Sequence, residues 1–140
     1  MQDYPIPGFE ISSERQRLNY RLVHEFLTRS YWASGISFEK VKRSLDNSFC
    51  FGVYQERQQV GFARVITDFS RIAYLADVFI VEEFRGQGLS TWLVKTILDH
   101  PDLRGIVKWF LITKDAHDLY SRFGFEAPKA PEMYMEMVRK

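Results

Sequence analysis

The chain has 140 residues, with 19 basic and 18 acidic side chains and a formal net charge of +1. Hydrophobic residues make up 46% of it and aromatic residues 16%, which excludes intrinsic disorder and suffices for one core of ordinary domain size. One cysteine excludes an intrachain disulfide or a multi-cysteine zinc site, and the near-neutral charge argues against a nucleic-acid partner. The opening stretch, Met1 to Glu10, has no basic run followed by an apolar core, so no signal peptide is expected. No apolar run approaches the roughly 20 residues of a membrane span. The expectation is a cytoplasmic protein without a membrane partner. There is no internal repeat, low-complexity tract or linker, so residues 1–140 read as a single domain.

In chain order, Ser13 followed by Gln16 fits a capping box ahead of a helix bearing Leu18, Leu22, Val23, Phe26 and Leu27 at helical spacing. A strand ahead of this helix is possible on pattern. The segment Tyr31-Trp32-Ala33-Ser34-Gly35 breaks the helix, and Ser37 can cap a second one with Val41 and Leu45 on one face. The runs Phe49–Tyr54 and Val60–Thr67, joined by polar residues, predict a hairpin. The run 72–81 predicts a central strand with Asp77 embedded in it. Leu89, Trp92, Leu93, Thr96 and Ile97 form a full helical stripe that ends at His100-Pro101. The run 106–113 predicts another strand. Asp115 can cap a short helix carrying Ala116, Leu119, Tyr120 and Phe123, with Gly124 as its left-handed stop. The run 133–138 predicts a last strand. A hairpin followed by a strand–helix–strand crossover predicts an α/β fold with a mixed, mostly antiparallel sheet and helices on both faces.

The piece that carries chemistry is Arg85-Gly86-Gln87-Gly88-Leu89-Ser90, between a strand and a helix. A helix N-terminus presents unpaired N–H groups and partial positive charge, and glycines let a phosphate approach the backbone. The pattern therefore suits a pyrophosphate; a plain tight turn accounts for it equally well. A P-loop sequence is absent, and the third glycine of a dinucleotide fingerprint would be Thr91.

Val81-x-x-x-Arg85-Gly86-x-Gly88-Leu89-Ser90 resembles the acyl-CoA signature of the GNAT superfamily of N-acetyltransferases. A second piece downstream, Ala116-x-x-x-Tyr120-x-x-x-Gly124-Phe125, is similar to the tyrosine-bearing helix and Gly-Phe stop of the same family, and the order of elements matches along nearly the whole chain. The resemblance implies a GNAT fold with a splayed parallel strand pair, and acetyl-CoA as acyl donor. Backbone N–H groups from Arg85 through Gly86, Gln87, Gly88 and Leu89 to Ser90 would grip the CoA pyrophosphate. Main-chain groups of Phe79, Ile80 and Val81 would pair with the pantetheine arm, and Tyr120 would reach the thioester sulfur. Three positions depart from the family pattern: Ser90 stands where Gly or Ala is usual, Thr113 where an asparagine often contacts the pantetheine, and Glu83 where a proline is common two positions after the strand valine.

Aminolysis of a thioester needs a neutral amine and, for the departing thiolate, a proton donor. Tyr120 is the expected donor, against the alternative of a core tyrosine on an amphipathic helix. For the base, some histone-acetylating relatives place a glutamate where this chain has Leu75. Asp77 lies two residues on, on the same face of a regular strand. It is the candidate base, against the alternative of a structural carboxylate held by backbone N–H groups or an arginine; a water relay is the other route for the proton. His117, three residues before Tyr120, is a further candidate. His24 and His100 have no carboxylate or cysteine at metal-ligand spacing, so no metal is expected. Cys50, between Phe49 and Phe51, reads as an inert core thiol, which favours direct transfer in a ternary complex over an acyl-cysteine.

The family's acceptor enters beside the first two helices, so Tyr31 and Trp32 are the expected substrate-binding residues, with Arg64, Thr67 and Asp68 close by; ordinary packing of helix ends is the alternative. The implied acceptor is a primary amine of a small molecule, amino acid or peptide. A CoA-binding module without transfer activity, or an interaction protein using the Tyr31–Trp32 surface, are the other readings. The resemblance allows a monomer or a homodimer.

Overall fold

The computed structural model describes residues 4–139. A short strand, β1 (Glu10–Ser12), leads to helices α1 (Tyr20–Thr28) and α2 (Phe38–Asp46). Strands β2 (Phe49–Gln55), β3 (Gln58–Thr67) and β4 (Ile72–Ile80) follow, then helix α3 (Leu89–Asp99), strand β5 (Lys108–Phe110) and helix α4 (His117–Ser121). The five strands lie in the order β1-β2-β3-β4-β5; the first three pairings are antiparallel and β4–β5 is parallel. This is the mixed sheet expected from a hairpin followed by a crossover.

Each face of the sheet has its own apolar layer. On one, Val23 and Leu27 of α1 and Val41 and Leu45 of α2 pack on Cys50, Phe62 and Phe79. On the other, Leu89, Leu93 and Ile97 of α3 and Tyr120 of α4 pack on Phe51, Val65, Leu75 and Ile80. Ser37 caps α2 as expected, its Oγ accepting from the Lys40 N–H at 3.2 Å.

Four local expectations are corrected. The cap of α1 is Asn19, whose side chain accepts from the Leu22 N–H at 3.0 Å, not a box begun at Ser13. Residues 15–17 instead form a single 3-10 turn, because Arg15 is drawn off to the carbonyls of Leu45 and Ser48. The hydroxyl of Thr113, rather than Asp115, holds the start of α4 by accepting from the Ala116 N–H at 3.1 Å. The strand expected over 106–113 is reduced to Lys108–Phe110. The last strand expected over 133–138 is not formed: a 3-10 turn at Pro131–Met133 is followed by backbone without regular structure. A strand needs a partner for its N–H and C=O groups, and no strand lies on the free side of β5 among the described residues.

Candidate functional site

The site begins with an irregularity in β4. Phe62 and Arg64 of β3 pair with Phe79 and Ala76, so β4 uses one residue more than β3 over the same stretch. This is a β-bulge, and Asp77 within it adopts φ +54°. Aspartate is among the few residues that tolerate this region. A bulge bends and twists its strand. Here β4 and β5 stay paired only from Ile72–Lys108 to Tyr74–Phe110, after which β4 runs on to Ile80 without β5.

The remainder of β4 therefore has one open edge. The Val81 N–H donates to the Val60 carbonyl at 2.8 Å. Main-chain groups alternate sides along an antiparallel strand, so Phe79 and Val81 face β3 while Val78 and Ile80 face the opening. Of the three residues expected to offer main chain to a ligand, only Ile80 is so directed, and Val78 joins it. The Phe79 side chain is committed to the core, its ring stacked on Phe26 at 3.9 Å.

At the end of this edge the chain makes one 3-10 turn (Glu82–Phe84), and the Arg85 Nε donates back to the Ile80 carbonyl at 2.9 Å. That bond fixes the approach to the glycine turn. Gly86 and Gly88 both take left-handed φ, +82° and +86°, and a Cβ on Gly86 would meet nothing within 4 Å. The glycine there answers a conformational need and leaves open space before α3. The first intrahelical bond of α3 runs from the Trp92 N–H to the Gly88 carbonyl. The N–H groups of Leu89, Ser90 and Thr91 thus have no helical acceptor, and no side chain caps them. Gln87 turns its amide back to the Phe84 carbonyl at 3.2 Å. Unpaired N–H groups, a helix dipole and space beside a glycine together fit a pyrophosphate, and the open strand edge beside them fits an amide-bearing arm.

Tyr120 stands on α4, the helix that follows β5, and belongs to the apolar layer that holds Ile80. It is 7% exposed, its ring edge against Phe125 at 5.8 Å, and burial pushes its phenol up to about 12, with a smaller contribution from Tyr31. Its hydroxyl makes no hydrogen bond among the described residues. Gly124, at φ +95°, ends the helix as expected and lets the Phe125 N–H return to the Tyr120 carbonyl at 3.3 Å. Thr113 is partly buried at the turn it holds. His117 is exposed on the first residue of α4.

Asp77 faces the α1–α2 side, not the side of Leu75, because the bulge breaks the alternation that a regular strand would have. Its two carboxylate oxygens are both engaged: Arg64 Nε donates to one at 2.8 Å and Trp32 Nε1 to the other at 2.9 Å. The pair is secluded, with the Asp77 side chain 8% exposed. Tyr31 reaches the opposite bank, where its hydroxyl accepts from the Lys114 N–H at 3.2 Å and its ring lies 5.2 Å from the Lys114 ammonium. The loop between α1 and α2 thus spans the gap between β4 and the segment after β5. Both rings keep exposed surface. Thr67 and Asp68 are turn builders instead: Thr67 bonds the Ile72 carbonyl, and Asp68 accepts from the N–H groups of Ser70, Arg71 and Ile72. Sequence reasoning missed Lys114, which no spacing links to Tyr31, and Val78, whose direction depends on the bulge.

Cys50 is buried under α2, and burial pushes its thiol up to about 11. Among the described residues no group of three His, Cys, Asp or Glu side chains could hold a metal ion, and no helix is long and apolar enough to cross a membrane.

The acetyltransferase (GNAT) domain profile matches residues 46–127, which include the bulged strand, the glycine turn and α4. The chain belongs to the GNAT acetyltransferase family. It is similar to a Xanthomonas campestris protein described as a candidate GNAT acetyltransferase, with 40% identity, 96% of each chain covered and a TM-score of 0.92. A Clostridium acetobutylicum structure, described as a predicted acetyltransferase with acetyl-CoA, shares the fold at 14% identity and a TM-score of 0.67, over 93% of this chain and 94% of that one. A candidate acetyltransferase of Gibberella zeae, FG08082, is 28% identical over 114 residues, 66% of this chain. The chain spans 63% of that relative's length.

Proposed function

We propose that this domain transfers the acetyl group of acetyl-CoA to a primary amine of a small molecule, amino acid or peptide, by direct attack in a ternary complex. The observation that carries this reading is the continuity of an open β4 edge with an uncapped helix N-terminus, together with a phenol, Tyr120, that has no hydrogen-bond partner among the described residues. The Clostridium relative, whose structure includes acetyl-CoA, supports the choice of donor.

In this reading the thioester supplies an activated acyl carbon, and the domain's residues do the rest. The N–H groups of Leu89, Ser90 and Thr91, with the turn at Gly86–Gly88, hold the pyrophosphate. Val78 and Ile80 hold the pantetheine arm as an added strand. The amine nitrogen bonds to the acyl carbon, the C–S bond breaks, and sulfur leaves with the electron pair. The proton lost by nitrogen and the one gained by sulfur balance. Tyr120 serves the sulfur. A phenol near 12 is a weaker acid than an ordinary thiol, which lies near ~8.5. Its part is thus to hold a hydrogen bond to the developing thiolate, with the proton arriving from the amine through water. Asp77 has both oxygens in hydrogen bonds and acts as a positioning group: it sets Trp32 on the acceptor side of the opening. Tyr31 and Trp32 line the acceptor entry.

Calorimetric titration with acetyl-CoA tests the donor site: micromolar binding that disappears in Gly88→Glu is expected. Release of free thiol over a panel of amines then tests transfer. A folded protein that does not bind acetyl-CoA would contradict the reading.

A further inference from the structure

The two apolar layers leave one row of side chains over. Ile66 of β3 pairs with Tyr74 of β4, and Tyr74 with Phe110 of β5, so the three stand side by side across the sheet. Their sequence neighbours Val65, Ala73 and Leu75 belong to the layer under α3. Strand alternation therefore turns Ile66, Tyr74 and Phe110 to the other face, that of α1 and α2. The helices do not reach them, for the layer on that face ends at Cys50, Phe62 and Phe79. Ile66 is 43% exposed, and Tyr74 and Phe110 are half-buried with their rings 5.5 Å apart. A contiguous apolar row left uncovered marks a surface that something else fills.

The row stands where β4 and β5 part, because Tyr74–Phe110 is the last of their pairs. The next row on the same face holds Arg64 and Ala76, with the bulged Asp77 beside them, about 6.6 Å further along the strand. Burial raises the Tyr74 phenol and the Asp77 carboxylate adds to it, which agrees with a ring lying toward that ion pair. Trp32, bonded to Asp77, and Tyr31, edge to face with Trp32 at 5.1 Å, continue the aromatic surface beyond it.

The charges along this surface are already matched. Both oxygens of Asp77 are engaged by Arg64 and Trp32, and the Lys114 ammonium lies over the Tyr31 ring. Asp68 is tied to three N–H groups of its own turn. A polyamine would therefore meet cations and occupied carboxylates here, whereas a ring would meet rings.

We propose that the acceptor is an arylalkylamine, a primary amine on a short chain from an aromatic ring, and that Ile66, Tyr74 and Phe110 receive that ring. This rests on the acetyl-transfer reading above and names the acceptor class within it. The amine nitrogen gains the acetyl group and loses a proton, and CoA leaves as the thiol.

The test follows free thiol released by the full chain from acetyl-CoA with 2-phenylethylamine, ethylamine or spermidine. The kcat/KM for 2-phenylethylamine should exceed that for ethylamine by about 10- to 100-fold, the worth of burying one ring, and should exceed that for spermidine as well. Phe110→Ala should cut the preference over ethylamine to within about 3-fold, with acetyl-CoA still bound at micromolar concentration by calorimetry. Ile66→Asp, at an exposed position, should do the same and serves if Phe110→Ala does not fold. Three results overturn the proposal while acetyl-CoA binding stands: no transfer to 2-phenylethylamine, ethylamine or spermidine used as well or better, or a ring preference that both variants keep. A folded chain that does not bind acetyl-CoA overturns the transfer reading itself, and this proposal with it.

Discussion

The two banks of the opening are built by different means. On the proposed donor side the groups offered are main chain: the edge of β4 at Val78 and Ile80, and the N–H groups at the start of α3. Side chains there serve conformation, glycine at two left-handed positions and Arg85 tying the turn back to Ile80. On the proposed acceptor side the groups offered are side chains, and each is placed by partners distant in sequence: Trp32 by Asp77, Asp77 by Arg64, Tyr31 by Lys114. A backbone site binds what all donors of one class share. A side-chain site can differ between relatives without disturbing the fold. On the proposed function, the donor bank would serve any acyl-CoA, and the acceptor bank would set which amine this chain accepts.

Substitutions should separate the banks. The largest effect is expected from Gly88→Glu, which puts a side chain at φ +86° and a negative charge where the pyrophosphate would lie; acetyl-CoA affinity should fall at least ~100-fold, measured by calorimetry. Tyr120→Phe should lower kcat by roughly 100-fold while KM for acetyl-CoA changes little. Because the phenol lies near 12, its hydrogen-bonding form persists throughout the neutral and mildly alkaline range. The variant should thus scale the pH profile down without removing an alkaline limb.

On the other bank, Asp77→Asn keeps a residue that tolerates the bulge but leaves the Arg64 guanidinium without its carboxylate. A cost of about 2 kcal/mol is expected, seen as a fall in Tm of roughly 5–10 °C, with donor affinity unchanged. Trp32→Phe removes the N–H donor to Asp77 together with part of the ring, and should raise KM for the amine by about 3- to 10-fold at constant KM for acetyl-CoA. The smallest effect belongs to Cys50→Ala. With its thiol near 11, Cys50 is protonated at neutral pH, and turnover should stay within about two-fold of the wild type.

What could be read from the sequence follows the same division. The helical stripe from Leu89 to Ile97, the hairpin runs and the Gly-x-Gly turn are local patterns, and local physics places them. The bulge at Asp77 has no local signature, because its cause is the register between β3 and β4. That single extra residue moved Asp77 to the opposite face from Leu75 and turned Val78, rather than Phe79 or Val81, toward the opening. The cap of α1 at Asn19 was hidden by an equally good pattern at Ser13, which lost because Arg15 bonds to the end of α2. The run 133–138 has a strand's alternation but no strand beside it among the described residues, and alternation alone makes no hydrogen bonds.

The central claim is that acetyl-CoA is held by main-chain groups along one continuous line, from the open edge of β4 to the start of α3. Residue-resolved amide hydrogen exchange, with and without acetyl-CoA, tests it directly. Val78, Ile80 and Leu89 to Thr91 should gain protection on binding, while Val81, already bonded to Val60, should not change. Binding with protection confined to other elements, and none along this line, would contradict the account.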